Sequence, residues 1–226
     1  MMIASFLFMP SMLRAEKVRE STCYGTTKKG RLENGVRLPR SGTNFVPYSS
    51  FGVMAGRTYV HSKVFEVIVK TYAILNKTHP DKIFMYGETG FKNGGKFKPH
   101  KTHQNGLSAD FMVSVLDKAG KSVPLPTSIF NKFGYSLEFD KKGGYKDYTI
   151  DFEAMAAHLM ILHKECQKAG IGIWRVIFDP ELQPYLFKVR HGSYLIKKLR
   201  FSEKPSWVRH DEHYHVDFKV KCKKKF

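Results

Sequence analysis

Residues 210–220 read His210-Asp-Glu-His213-Tyr-His215-Val-Asp-Phe-Lys-Val220. From His213 onward the stretch reads as the last strand of a sheet, so His213 and His215, two residues apart, point to one face. One imidazole can hold a metal while the other works beside it. Working outward, the second histidine-bearing stretch is Pro99-His100-Lys-Thr-His103-Gln-Asn-Gly106-Leu-Ser-Ala-Asp110. Five of the ten histidines fall in these two stretches, interleaved with carboxylates. A catalytic zinc takes three protein ligands from His, Asp or Glu and keeps a fourth position for water. His103, Asp110 and His215 supply two imidazoles and one carboxylate, which predicts one Zn2+ per chain. Gly106 fits a turn that brings His103 and Asp110 to one point. Asp110 reads as the opening of a strand through Phe111-Met-Val-Ser-Val115.

Elsewhere, Val64, Phe65, Ile68, Val69, Tyr72 and Leu75 recur at helical spacing, which predicts a helix over 62–76 with Pro80 beyond its end. A second helix is predicted from Phe152 to Ala169, stopped by Gly170 as its C′ residue. Lys82–Gly87 and Trp174–Phe178 read as strands, and Pro180 as a first-turn residue of a further helix. The order predicts an α+β fold, with a small central antiparallel sheet, flanking helices, long loops and the zinc site on the sheet. The 226 residues contain no internal repeat or long low-complexity linker, so residues 16–226 are expected to form one domain. Residues 1–15 are apolar through Leu13 and read as the hydrophobic part of a truncated secretory signal without its basic n-region. That segment is too short to span a bilayer, and no other stretch supplies a transmembrane anchor. Of three cysteines, Cys166 falls on the apolar face of the second helix, which leaves Cys23 and Cys222 as the pair to consider.

The 38 Lys and Arg against 20 Asp and Glu give a formal charge of +18, which favours anionic partners. The basic residues are spread along the chain and dense only from Lys219 to Lys225. No recognition helix or base-stacking sheet accompanies them, so no specific nucleic-acid partner is expected.

The strings His100-x2-His103-x6-Asp110 and His210-x2-His213-x-His215 resemble the penicillin-insensitive murein endopeptidase family. That family lies within the clan of lysostaphin-type enzymes, D-Ala-D-Ala peptidases and hedgehog proteins. The stretch from Cys23 through Arg57-Thr-Tyr-Val-His61 is also similar to the family, so the likeness runs from about residue 20 to 222. The resemblance implies a zinc metalloendopeptidase, periplasmic or secreted, acting on D-alanyl-meso-diaminopimelate cross-links of peptidoglycan. It also implies that His103, Asp110 and His215 bind zinc, that His213 is catalytic, and that His100 and His210 belong to the active site. Glu212 departs from the pattern, standing where the D-Ala-D-Ala dipeptidases of the clan carry their catalytic glutamate. Strand alternation turns Glu212 away from His213 and His215, which favours His213 as general base. The alternatives are a D-Ala-D-Ala carboxypeptidase or dipeptidase, for which Glu212 speaks, and a non-catalytic zinc-containing wall-binding module.

Overall fold

The computed structural model describes residues 20–204, 206 and 208–224. The signal reading of residues 1–15 therefore lies outside the described residues. In chain order come β1 (Thr22–Gly25), β2 (Gly30–Glu33), β3 (Val36–Arg37), β4 (Phe45–Pro47), α1 (Ser50–Met54), β5 (Tyr59–Val60) and α2 (Ser62–Thr78). Next are β6 (Phe84–Tyr86), β7 (Ser108–Met112), β8 (Val115–Leu116), β9 (Ser122–Val123) and a 3-10 segment, Ile129–Gly134. The remainder is β10 (Gly144–Tyr145), β11 (Tyr148–Ile150), α3 (Phe152–Lys168), β12 (Gly172–Ile177), α4 (Gln183–Lys188), α5 (Gly192–Lys198) and β13 (His213–Lys219).

The fold is mixed α and β with several small sheets. The main one has five strands in the order β12-β13-β7-β6-β4. The expectation of a purely antiparallel sheet is corrected at one edge, where β4 runs parallel to β6. That edge is reached through a crossover containing α2, a connection that parallel neighbours require. The run Phe111–Leu116 is also divided: β7 ends at Met112, and β8 joins a separate four-stranded sheet, β10-β11-β8-β9. Asp110 consequently sits within β7, not at its start. Pro180 lies in a turn; its neighbour Asp179 accepts backbone bonds from Leu182 (3.0 Å) and Gln183 (3.1 Å), and the helix begins only at Gln183.

Alternation on the two central strands sorts their chemistry. His213 faces Met112, His215 faces Asp110 and Asp217 faces Ser108 on one side of the sheet, while Tyr214–Phe111 and Val216–Ala109 are paired on the other. The apolar side takes α2 and α3. Val64, Ile68, Tyr72 and Leu75 of α2 are buried, as are Met155, Leu159, Leu162 and Cys166 of α3. His61 caps α2, with Nδ1 accepting from the Lys63 amide at 3.2 Å, and Asp151 Oδ1 caps α3 through the Ala154 amide at 3.0 Å. Gly170, with φ of 66°, follows α3 as expected.

His158 on α3 lies among the rings of Tyr72, Phe84 and Phe111, with Nδ1 2.8 Å from the Tyr214 hydroxyl. Burial pushes its pKa from 6.5 down to about 3. The unfolded chain therefore binds a proton near pH 6.5 that the folded chain refuses until about pH 3. Stability is complete above pH 6.5 and declines as pH falls toward 3. In chemical denaturation, His158→Gln is expected to have a shallower acid decline than the unaltered chain. Equal slopes would remove His158 from the balance.

Cys23 and Cys222 form a disulfide across a sequence separation of 199, while Cys166 is a buried free thiol. The backbone continues the junction: Lys223 donates to the Cys23 carbonyl and Gly25 donates to that of Lys223, both at 2.9 Å. Closing so long a loop restricts the unfolded chain, and its removal is expected to cost about 2–5 kcal/mol. An unchanged denaturation midpoint in the Cys23→Ser, Cys222→Ser double variant would contradict this.

Candidate active site

Arg175 and Ile177 of β12 and His213 and His215 of β13 line a cleft of about 510 Å³, together with His100, His210 and Tyr135. His103 is fully buried beneath it and adopts the left-handed backbone region at φ of 65°. Its Nδ1–H donates to the Thr89 carbonyl at 3.1 Å, which leaves Nε2 bare. That nitrogen makes no hydrogen bond among the described residues and lies 3.3 Å from Asp110 Oδ1. The intervening turn needs its glycine: at Gly106, φ is 75°, and a Cβ would meet the His61 amide nitrogen at 2.8 Å.

Asp110 collects the site. Oδ1 is 2.8 Å from His215 Nδ1, and Oδ2 accepts from the Tyr135 hydroxyl at 3.0 Å. Burial works against its negative charge, yet the imidazoles around it, His103 foremost, hold the carboxyl well below the usual carboxylate range. The other nitrogen of His215, Nε2, is 2.9 Å from Asp217 Oδ1. Burial disfavours the imidazolium of His215, but Asp217 and Asp110 outweigh it and raise the ring to about 10.

His103 Nε2 and His215 Nδ1 thus both stand close to Asp110 Oδ1, at 3.3 and 2.8 Å. Two ligands held about 2.1 Å from zinc at the tetrahedral angle stand about 3.4 Å apart, close to the His103–Asp110 separation. Distances alone also bring His100 into range, since ligand atoms of His100, His103 and Asp110 lie within 4.8 Å of one another. His100, however, already uses Nε2 on Glu88 Oε2 at 2.7 Å, and its Nδ1 is 3.9 Å from Asp110 Oδ2.

His213 stands beside this cluster with Nε2 3.9 Å from Asp110 Oδ2. Its Nδ1 is 2.8 Å from Glu212 Oε1. Glu212 therefore contacts His213, against the expectation that strand alternation would turn it away. β13 begins only at His213, so alternation does not govern Glu212. Burial moves both groups toward their neutral forms, Glu212 up to about 8 and His213 down to about 4. His210 has a left-handed backbone at φ of 59°, sets its Nδ1 2.7 Å from the Val208 carbonyl and packs its ring 4.6 Å from that of His213. Burial lowers it to about 3.

The sequence profile of the penicillin-insensitive murein endopeptidases matches residues 23–225. The chain belongs to that family. It is thereby a peptidase whose substrate class is the peptide part of peptidoglycan. No curated protein matches the chain.

Several residues of this murein peptidase's site escaped the sequence reading. Glu88 accepts from the Tyr48 hydroxyl at 2.7 Å and forms an ion pair with Arg57. Burial opposes its charge, but Arg57 and His100 lower the carboxyl to about 2. Tyr135 bridges the backbone amide of Glu88 (2.7 Å) and Asp110. Neither contact has a local signature. Asp217 did have one, since it continues the i, i+2 series of His213 and His215 on the same strand face.

Proposed function

We propose that the chain is a zinc-dependent endopeptidase hydrolysing D-alanyl-meso-diaminopimelate cross-links of peptidoglycan. His103, Asp110 and His215 would hold the metal, and His213 would be the group that moves protons. The observation that carries the reading is the bare, buried His103 Nε2 beside the Asp110–His215 pair, of which His215 lines the cleft. Such a nitrogen costs free energy unless a ligand completes it. When bound, zinc would activate water and polarise the scissile carbonyl.

The chain's own groups supply the remaining chemistry. Glu212 orients His213 through Nδ1, leaving Nε2 to take a proton from the attacking water and return it to the leaving amine. Tyr135 steadies the free oxygen of Asp110, and Asp217 steadies the ring of His215 in the manner of hydrogen-bonding partners behind metal ligands. His210 keeps a neutral ring against His213.

Residues 16–226 would be the single catalytic domain, working in the periplasm or outside the cell. The Cys23–Cys222 bridge supports an oxidising location. Among the described residues no helix is long and apolar enough to cross a membrane. The carboxypeptidase or dipeptidase reading rested on Glu212, whose carboxylate does not line the cleft. Digestion of purified muropeptide dimers by zinc-loaded protein tests the proposal. Mass analysis is expected to find monomers split at the cross-link. Release of terminal D-alanine from intact dimers would point to a carboxypeptidase, and inertness toward both would favour a wall-binding module.

A further inference from the structure

The cleft carries a second piece of machinery, built on Asp217. This carboxylate is fully buried. Its Oδ1 lies 2.9 Å from His215 Nε2 and accepts from Ser108 Oγ at 2.6 Å, while Oδ2 accepts from Arg175 Nε at 2.7 Å. One rigid group therefore positions both the metal-facing histidine and an arginine that lines the cleft. Only Nε of the Arg175 guanidinium is used in this way. Its terminal nitrogens make no hydrogen bond among the described residues, and its Cζ lies 4.5 Å from the centre of the Trp174 ring.

Strand register fixes where the guanidinium stands. Arg175 is paired with Asp217 and Ile177 with His215, so Arg175 is one same-face step, about 7 Å, along β12 from the level of the metal-facing ring. The surroundings favour an anion. Lys28 and Lys132 line the same cleft, and among the described residues its one lining acid, Glu88, is held by Arg57 and His100.

We propose that Arg175 anchors a substrate carboxylate: the free α-carboxylate on the amine side of the cleaved bond. This rests on the reading of the site as an endopeptidase for diamino-acid cross-links. In such a link the carbonyl-side carboxyl is consumed by the bond, whereas the residue contributing the amine keeps an α-carboxylate within a few ångströms of it. A guanidinium presents two parallel N–H donors to that group, a geometry a lysine cannot reproduce.

The test compares two muropeptide dimers that differ only in whether this α-carboxyl is free or amidated. Wild-type protein is expected to cleave the free form with a KM about 10- to 100-fold lower, the range for a hydrogen bond to a charged group. Arg175→Gln is expected to raise KM for the free form by the same factor and to lose the preference for it over the amidated form. Arg175→Lys should recover part of that preference. Calorimetric binding of the two dimers to the His213→Ala protein, which is expected to keep zinc and turn over slowly, reads the anchor with Arg175 unaltered. Equal affinities, or an Arg175→Gln protein that retains the preference, would overturn the anchor. A preference in binding without cleavage by wild-type protein would uphold it while the endopeptidase reading failed.

Discussion

His103→Ala is expected to leave the folded chain without zinc, where the unaltered protein is expected to bind one per chain. The variant removes a bare nitrogen, one hydrogen bond to the Thr89 carbonyl and ring packing against Phe97, His100 and His215, so zinc is read on protein whose folding has been checked. A three-ligand site that loses an imidazole loses more affinity than the about 10- to 100-fold caused by removing a partner behind a ligand. His215→Ala is expected to lose zinc as well, but at a further cost. It takes one partner from each of two buried carboxylates, Asp110 and Asp217, and breaking a buried pair in this way costs about 3–5 kcal/mol. Elemental analysis of the folded His103→Ala protein decides the matter: stoichiometric zinc there would refute the ligand assignment.

The second large effect is a separation of metal from catalysis at His213. His213→Ala is expected to keep zinc, because its Nε2 is 3.9 Å from the nearest Asp110 oxygen and its Nδ1 is turned to Glu212. Its rate on muropeptide dimers should fall by about 10²- to 10⁴-fold, the usual contribution of a positioned acid or base. Alternation alone would make Glu212 dispensable, but the 2.8 Å contact gives it a share in orienting His213. Glu212→Gln, which keeps a hydrogen-bonding group in place, should therefore lose less than His213→Ala. A Glu212 variant that is dead beside an active His213→Ala would transfer the base to Glu212 and the enzyme to the dipeptidase mechanism.

Local pattern was enough for much of this. The two histidine strings, the i, i+2 step across His213 and His215, and helices over 62–76 and 152–169, observed at 62–78 and 152–168, were legible in residue order, as was Cys23 with Cys222 as the pair to consider. Each is a matter of periodicity over a few residues or of elimination among three cysteines.

What lay beyond the sequence depends on which distant segments meet. Periodicity identifies a strand without naming its neighbour, so the parallel placement of β4 beside β6 and the division of 111–116 between two sheets had no local sign. Glu88 and Tyr135, 47 residues apart, meet at Asp110 and His100 only because separate loops close over the sheet. Glu212 was misread for a related reason. The alternation rule holds within a strand, and the tertiary pairing of β13 with β7 starts one residue after it, at His213. The residue types that could hold a metal were thus determined by the sequence, while Glu88 at His100 and Tyr135 at Asp110 took their roles from long-range packing.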